Sequence, residues 1–328
     1  MTLSAEDVRR SPEARRFDKP QDEQRRVTKA AARRLLPRRP RKEDIGTVLF
    51  ALPLVLVFLY FSWGPIVRGL VMSFQRTDFV SGSTWVGWEN FSYVLDDPLL
   101  PTAIGNTLWY GLLCLVFGFP LPVFLAVVIS EVRHRKGLYS ALAYLPVMFP
   151  PVVAILLWKV FYAPSDDGLF NTALGWVGID PVGWLNSASS AMPALVLEAT
   201  WANAGTNVII YLAALTGVRT DLYEAAELDG AGIWRRVWHI TLPQIRGITV
   251  ILVLLQVIGT AQVFTEPYLF TNGGPDNATT TILLLIYNYA FINGDYGAAT
   301  ALSLLLAGVL CVFAAVYQLA TRKLGQNT

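Results

Sequence analysis

The segment EAAELDG at residues 224–230, followed by ITLP at residues 240–243, lies between two strongly apolar runs of the chain. It is polar, is flanked by arginines, and contains glycines and a proline, the residues that most often interrupt helices. Apolar runs alone indicate only that a protein lies in a membrane. This polar segment, called here the central loop (residues 219–246), is the part of the sequence that indicates what such a protein does.

The composition is typical of a membrane protein. The chain of 328 residues is 54% hydrophobic and 15% charged, whereas soluble domains average about 25% charged residues. Apolar runs of about 18 or more residues recur, and each is long enough to cross a hydrocarbon core of about 30 Å as a helix. Because backbone polar groups in lipid must be satisfied within the segment, we interpret these runs as α-helices.

The apolar runs predict an all-α membrane protein with six transmembrane helices. A further apolar run at residues 281–292 is too short to span, so we expect a helix packed at the outer surface or leading into the last span. The six predicted spans cover residues 47–74, 104–130, 138–162, 191–218, 248–270 and 298–320.

The distribution of Lys and Arg predicts the orientation. If the N-terminus is cytoplasmic, 23 of the 26 Lys and Arg residues lie on the cytoplasmic side, fourteen of them in residues 1–44 and four in the central loop. The predicted outer loops at residues 163–190 and 271–297 contain none. Since positively charged loops are retained inside, we predict a multi-pass protein of the cell inner membrane with both termini in the cytoplasm.

The N-terminal residues 1–44 differ from the rest. They are rich in Arg, Pro and acidic residues and almost lack aromatic residues, so they cannot bury enough apolar surface to fold alone. We predict a disordered basic cytoplasmic tail over residues 1–44 and a transmembrane domain over residues 45–328. A tail that helps to fix the topology at the anionic inner leaflet and a docking segment for a partner are both left open.

The sequence offers little for catalysis or metal binding. Cys114 and Cys311 fall inside predicted spans, and His134 and His239 are the two histidines, so we predict no catalytic residue, no metal site and no cofactor. The sequence also lacks a Gly-x-x-x-x-Gly-Lys-Ser/Thr phosphate loop. The chain therefore does not hydrolyse ATP by that route, and any such energy must come from a partner.

The residues of the central loop predict two short helical pieces. Thr220 or Asp221 can cap the first piece, and Glu224 completes a capping-box pattern with Asp221. This helix is expected to end at Gly230, since glycine accepts the left-handed conformation found at helix ends. The second piece is expected over residues 233–239.

The surface of the central loop allows two interpretations. Ala225 and Ala226 carry almost no side-chain bulk, so the backbone of another protein could approach them closely. The carboxylates of Glu224 and Glu227 are expected to supply acceptors beside them. Arg235 and Arg236 are expected to face lipid head groups or a partner. The alternative is an amphipathic helix that rests on the membrane surface. The residues alone leave both interpretations open.

The spacing of the central loop resembles the signature of bacterial ABC-importer permease subunits. That signature is Glu-Ala-Ala, three residues, Gly, nine residues, Ile, one residue and Leu-Pro. The resemblance implies that the loop forms coupling helices, which dock on a separate ATP-hydrolysing subunit. The matching residues are Glu224, Ala225, Ala226, Gly230, Ile240, Leu242 and Pro243.

Other segments are similar to the carbohydrate-import branch of that family, and the resemblance covers about residues 45–325. These segments are WVGWENF at residues 85–91, with Trp88 where Leu is usual, NTL at 106–108, TNGGP at 271–275 and YGAA at 296–299. The resemblance implies the type I ABC importer permease fold and the first-permease type of a heterodimeric sugar permease pair. The implied partners are a second permease, an ABC ATPase dimer, an extracytoplasmic substrate-binding protein, a sugar and membrane lipid, with no nucleic acid.

Polar residues inside the predicted spans are candidates for substrate contact, since such residues usually face a cavity or a neighbouring helix. A sugar presents hydroxyls and apolar C–H faces, so its site needs amides, acceptors and an aromatic platform. Trp201 with Asn203 is the first choice. The alternatives are amides that only bond between helices and an ion pair of Lys159 with Glu198 or Glu266. The remaining candidates are Asn207, Gln256, Gln262 and Glu266.

Three other functions remain as alternatives. A permease of the same family could carry glycerol phosphate or a polyol instead of a sugar. A self-sufficient secondary transporter would show internal symmetry or coupling carboxylates deep in the membrane, and the sequence shows neither clearly. A membrane-embedded enzyme would need a catalytic constellation on one side of the membrane, which the sequence does not offer.

Overall fold

The computed structural model describes residues 42–78, 82–132, 134–165 and 168–325. Within these ranges the chain is mostly helical, as the apolar runs predict. The predicted tail lies outside the described residues except for its last three positions, because the first helix already begins at Lys42. The chain divides into two compact units, Met1–Ile66 and Val67–Thr328.

The first predicted span is helical. Lys42–Phe58 is an α-helix, Leu59–Trp63 continues as a π-helical turn, and Gly64–Met72 completes the segment. The stretch Leu49–Met72 is long and apolar enough to cross a membrane. Its side chains up to Ile66 are nearly all exposed, which suits lipid, because lipid tails are as apolar as the side chains that face them.

A small β-hairpin follows the first helix, a feature that the prediction of an all-α protein did not include. Gln75–Asp78 pairs antiparallel with Gly82–Trp85, and Gln75 lies opposite Trp85. The Asn90 side-chain amide donates hydrogen bonds to the carbonyl oxygens of Ser73 and Gln75, at 2.9 and 3.0 Å. The hairpin is thereby fastened to the helix that comes after it.

The second span is longer than predicted. After the short helix Glu89–Leu95, the segment Leu99–Glu131 is helical over 33 residues and apolar enough to span. It consists of Leu99–Leu113, the π-helical turn Cys114–Gly118 and the helix Pro120–Glu131. The widened turn ends two residues before Pro120, which has no N–H to donate to the regular helical pattern.

The third predicted span, at residues 138–162, is helical but sharply bent at its two adjacent prolines. Lys136–Tyr144 and the 3₁₀ turn Leu145–Met148 form one arm, Pro151–Phe161 forms the other, and the two arms bend by 94°. Pro150 and the proline after it both lack an N–H, so the helix cannot run through them, and a proline is favoured at the start of the next helix. The two arms form either one broken span or a re-entrant loop.

The fourth predicted span forms the helix Ala188–Thr216, which follows the short helix Leu169–Gly175. It has 29 residues, and at 1.5 Å per residue it is long enough to cross a membrane. Its composition is not apolar enough for it to be counted among the spanning helices. It is instead heavily buried, and it packs against the helices Pro120–Glu131 and Lys136–Tyr144.

The fifth predicted span is helical but interrupted near one end. Arg246–Ala261 and Thr265–Phe270 are separated by residues 262–264, and together they are long and apolar enough to span. The central loop before them is helical in four pieces. These pieces are Thr220–Leu228, Ile233–Arg236, the π-helical turn Val237–Thr241, and Leu242–Gln244.

The short apolar run at residues 281–292 is helical and leads into the last helix, as expected. Ile282–Tyr287 and the π-helical turn Asn288–Ile292 are followed, after three residues, by the 30-residue helix Tyr296–Gly325. Leu285 is buried together with residues of that helix in one apolar cluster.

The described part of the chain thus contains four helices that are long and apolar enough to cross a membrane, or five if the bent pair is one span. All six predicted spans correspond to helical segments. The number that cross the membrane, and the side on which each terminus lies, stay predictions.

Candidate functional site: the central loop and a polar cavity

The first helix of the central loop begins and ends close to its predicted positions. Thr220–Leu228 is helical, and Gly230 follows with φ +75°, the left-handed conformation that ends a helix. The predicted capping box is wrong, because Arg219 occupies the capping position and no side chain caps the helix. Asp221 instead pairs with Arg219, and this hydrogen bond lowers the pKa of the Asp221 carboxyl.

The second helical piece extends further than predicted. It begins at Ile233, as expected, and continues through a π-helical turn to Gln244 instead of ending near residue 239. Pro243 is tolerated because it lies in the first turn of its short helix, where its missing N–H has no partner to lose.

The residues of the signature are divided between the surface and the interior of the central loop. Glu224, Ala225, Gly230 and Pro243 are exposed, and the other three signature residues are half-buried. Large apolar side chains lie open beside them, and Leu228 is 90% exposed. An exposed apolar surface on a loop is typical of a contact with another protein or with a membrane. The other exposed apolar side chains of the loop are Ile233, Trp234 and Trp238.

The prediction that Arg236 faces lipid head groups or a partner is wrong. Arg236 is buried, and its guanidinium contacts the Glu227 carboxylate directly. Its other terminal nitrogen lies 3.8 Å from the Glu131 carboxylate. A buried arginine is stable only with such partners. This arrangement was not predictable from the sequence, because Glu131 is about a hundred residues away along the chain. Arg235 is exposed, as predicted.

A polar cavity of about 730 Å³ lies between the helices that carry most of the predicted substrate residues. Its walls come from Leu99–Leu113, the π-helical turn after it, Ala188–Thr216 and the two helices of the fifth span. Five of the six predicted residues line it, namely Asn203, Asn207, Gln256, Gln262 and Glu266.

Trp201, the first choice from the sequence, is not among the residues that line the cavity. Its ring lies 5.5 Å from that of Trp158 and 6.2 Å from that of Phe149, between ring centres. It packs against the apolar cluster around Trp158. Trp201 therefore lies in an aromatic core. Asn203, two residues further along the same helix, faces the cavity.

The polar groups that line the cavity are mainly amides and hydroxyls, and they are set among apolar residues and glycines. The side-chain amides of Asn203 and Gln262 donate to carbonyl oxygens of their own helices, Ala199 at 2.8 Å and Ile258 at 3.2 Å. Their side-chain oxygens have no partner among the described residues, which leaves acceptors toward the cavity. Glu266 is the one charged residue among those that line it.

Several hydroxyls that the sequence interpretation missed also line the cavity. Thr200 carries a buried hydroxyl oxygen that has no hydrogen-bond partner in the part of the chain that the structure describes. Thr260 follows Gln256 by four residues, so the helical repeat could have placed it on the same face. The other missed hydroxyl-bearing residues are Tyr110, Thr206 and Thr265.

The proposed structural ion pair of Lys159 is not formed. The Lys159 ammonium donates a hydrogen bond to the carbonyl oxygen of Leu269 at 2.9 Å, and no ion pair links it to Glu198 or Glu266 within the described ranges. Glu198 is buried, with 2% of its surface exposed. Over the described residues, no group of three or more His, Cys, Asp and Glu is placed to hold a metal ion.

Comparison with known proteins identifies the family. The family described as binding-protein-dependent transport system inner membrane component matches residues 118–326. The arabinooligosaccharides transport system permease protein AraP of Halalkalibacterium halodurans is 33% identical over 262 residues, which are 79% of this chain and 82% of AraP. The trehalose/maltose transport system permease protein MalF of Thermococcus litoralis is 32% identical, over 82% of this chain and 91% of MalF.

Solved structures extend the likeness to the fold. A crystal structure of a bacterial ABC transporter involved in the import of the acidic polysaccharide alginate contains a chain that is 30% identical, with a TM-score of 0.77. The match covers 86% of this chain and 96% of that chain. The fold is therefore that of the type I ABC importer permeases, as the sequence resemblance implies, and these relatives are transport proteins rather than enzymes. The chain is a multi-pass inner-membrane protein and belongs to the family of binding-protein-dependent transport system inner membrane components.

Proposed function

We propose that the chain is the transmembrane permease subunit of an ATP-driven, binding-protein-dependent importer of sugars of the oligosaccharide type. It forms half of the translocation pore and couples that pore to a separate ATPase. The observation that carries the proposal is the cavity of about 730 Å³, in which amides and hydroxyls are set among apolar residues, the mixture that the hydroxyls and C–H faces of a sugar require. The names of AraP, MalF and the alginate transporter support the substrate class.

The partners follow from the same relatives. One alginate transporter structure is a complex with an alginate pentasaccharide-bound periplasmic protein, which supports a binding protein that delivers the sugar. A second permease completes the pore, and an ABC ATPase dimer drives it. Both termini and the central loop lie in the cytoplasm, in agreement with the concentration of Lys and Arg in these segments.

The wall chemistry favours an uncharged sugar. Amide and hydroxyl groups can donate to and accept from sugar hydroxyls, and Asn203 and Asn207 supply both kinds of group from one helix. The single charged lining residue, Glu266, is acidic and would repel a uronate or a phosphate. This favours a neutral oligosaccharide over glycerol phosphate and over an acidic polysaccharide. A polyol would meet the same groups.

The central loop is the surface on which the ATPase docks. The exposed Glu224 and Ala225 lie beside open apolar side chains such as Leu228. ATP-driven closure of the ATPase dimer moves this surface, and the movement opens the pore toward the outside. Hydrolysis of ATP restores the inward-facing state.

The substrate class is tested with the chain co-expressed with the permease, ATPase and binding protein of its own transport system. Uptake into proteoliposomes is measured for arabino-oligosaccharides, maltose, diacetylchitobiose, an alginate pentasaccharide, glycerol phosphate and a polyol. We expect uptake of at least one neutral sugar, dependent on ATP and on the binding protein. Uptake of glycerol phosphate alone would refute the sugar assignment, and uptake of the alginate pentasaccharide alone would refute the preference for a neutral sugar. Uptake of the polyol alone would favour the polyol permease.

The coupling surface is tested with Glu224→Lys, compared with Asp180→Lys, which changes an exposed acidic residue outside the loop. We expect Glu224→Lys to lose ATPase binding and uptake while the chain remains folded, and Asp180→Lys to retain both. Full ATP-driven uptake by Glu224→Lys would refute the docking assignment. Uptake by the chain alone, without any ATPase, would instead show a secondary transporter.

A further inference from the structure

The helix Thr220–Leu228, which carries the signature Glu-Ala-Ala, has no buried side chain. Its apolar packing is therefore limited to half-buried residues such as Leu222 and Ala226. The chain after it passes through Gly230 and Gly232, and a Cβ at either glycine would meet nothing within 4 Å. The amides of Gly230 and Ala231 donate backbone hydrogen bonds to the end of the helix, so a bend between the two halves of the loop falls at Gly232, where a glycine permits it. Something other than the backbone must hold this helix in place.

Two side-chain contacts hold the helix to the second half of the central loop. Glu227 contacts the guanidinium of Arg236, and the Tyr223 hydroxyl lies 2.9 Å from the hydroxyl oxygen of Thr241. Glu227 and Tyr223 are four residues apart, so they lie on one face of the helix. Their partners Arg236 and Thr241 are both buried, so the contacts attach an exposed helix to a fixed base.

Arg236 also reaches beyond the loop. Its second terminal nitrogen lies 3.8 Å from the carboxylate of Glu131, the last residue of the helix Pro120–Glu131. The C-terminal end of a helix attracts cations, and a planar guanidinium presents donors in two directions at once. One arginine thus joins the signature helix to the end of the second span.

The second span leads from this point to the polar cavity. The helix Pro120–Glu131 packs along Ala188–Thr216, and Ile129 of the first shares a buried apolar cluster with Val208 and Tyr211 of the second. Val208 directly follows Asn207, which lines the cavity. Close-packed contacts transmit displacement because they have little compressibility.

We propose that Arg236 is a positioning residue that clamps the signature helix, through Glu227, to the second span, through Glu131. The clamp makes the exposed helix and the cavity wall move together when the ATPase closes. Without it, the signature helix turns on its glycine connection, and the movement of the ATPase is not passed to the pore. This inference rests on the proposed coupling function of the central loop.

The test uses the complete complex of both permeases, the ATPase and the binding protein in proteoliposomes. Sugar uptake and ATP hydrolysis are measured on the same assembled sample, and their ratio is the readout. We expect Arg236→Gln to keep the ATPase bound but to lower the ratio roughly tenfold, within the range usual for coupling between two sites. The matched control is Arg76→Gln, which breaks an exposed pair of Arg76 with Glu89 outside the loop, and its ratio should equal that of the wild type.

A rearranged clamp distinguishes coupling from folding. In the triple variant Glu131→Gln, Glu227→Arg, Arg236→Glu, the charges of the contact between residues 227 and 236 are exchanged. The amide introduced at position 131 can donate a hydrogen bond to the carboxylate introduced at position 236, which keeps the link to the second span. We expect this variant to recover most of the ratio. The proposal would be overturned if Arg236→Gln left the ratio of sugar uptake to ATP hydrolysis unchanged. It would also be overturned if the triple variant restored the yield of the complex but left that ratio low, because the contact would then serve folding alone. If the wild-type chain binds no ATPase, the proposed function itself fails.

Discussion

The crossing of two helices at Gly205 gives the sharpest stability prediction. Gly205 lies on the helix Ala188–Thr216 where it meets the first arm of the bent third segment. A Cβ added at Gly205 would overlap the carbonyl oxygen of Ala143 and would lie 2.8 Å from Cα of Tyr144. Both are backbone atoms, so the overlap is relieved only if the two helices move apart.

The expected cost of Gly205→Ala follows from two opposing terms. Overpacking of a close contact costs about 1–3 kcal/mol, and contact with backbone atoms places this substitution at the upper end. Alanine is more favourable than glycine inside a helix by about 1 kcal/mol. We therefore expect the free energy of unfolding to fall by about 2 kcal/mol, which for a chain of this size lowers Tm by roughly 3 °C.

The measurement is the fraction of monodisperse protein that survives heating in detergent, followed by size-exclusion chromatography. The matched control is Gly308→Ala, in the helix Tyr296–Gly325, where an added Cβ would meet nothing within 4 Å. Its Tm should equal or exceed that of the wild type. A Gly205→Ala protein as stable as the Gly308→Ala protein would refute the argument from close approach.

Three further predictions concern segments that connect or flank the predicted spans. Asn171 is buried and hydrogen-bonds through its side chain to Val182 and Trp184 among others, so Asn171→Ala should cost about 2–3 kcal/mol and speed amide exchange in residues 168–187. Unchanged exchange would contradict it. Gly297→Ala would place a Cβ 2.5 Å from the carbonyl oxygen of the hairpin residue Gln75, so limited proteolysis should cut the hairpin faster, and equal cleavage would count against close packing. Burial, together with a hydrogen bond to Asp97, raises the pKa of Tyr289 above its usual value of about 10, so the protonated phenol stabilises the fold below that pH and its contribution is lost as the pH rises through the raised pKa. Tyr289→Phe should therefore be about 1 kcal/mol less stable at about pH 8, with the difference narrowing above about pH 10, and a difference independent of pH would oppose this reasoning.

The central loop shows which features local sequence can predict. The end of the helix at Gly230 was predictable, because a single residue type determines whether the backbone can turn there. The burial of Arg236 was not, because it depends on where Glu131 lies in space. An arginine with no visible partner in the sequence was reasonably expected at the surface. Contacts of long sequence separation are the part that local patterns cannot supply.

The third segment shows the same division at a larger scale. Pro150 and its neighbour made an interruption predictable from the sequence. The bend of 94° was not predictable, because its size depends on what the two arms pack against. Gly205 allows the first arm to approach the helix Ala188–Thr216 closely, and nothing in the sequence around Pro150 indicates that contact.

The helix Ala188–Thr216 shows why its cavity-lining asparagines were predictable although the aromatic contacts of Trp201 were not. A helix that faces lipid must be apolar, and its hydropathy shows this. A helix that is largely enclosed by protein need not be apolar, so Ala188–Thr216 can carry Glu198, Asn203 and Asn207. Polar groups in a membrane must face a cavity or a neighbour, which restricts where the two asparagines can point. The direction of Trp201 is not restricted in this way, because an indole ring can pack in an apolar core as well as beside a cavity. Its neighbours Trp158 and Phe149, distant in sequence, determined the outcome.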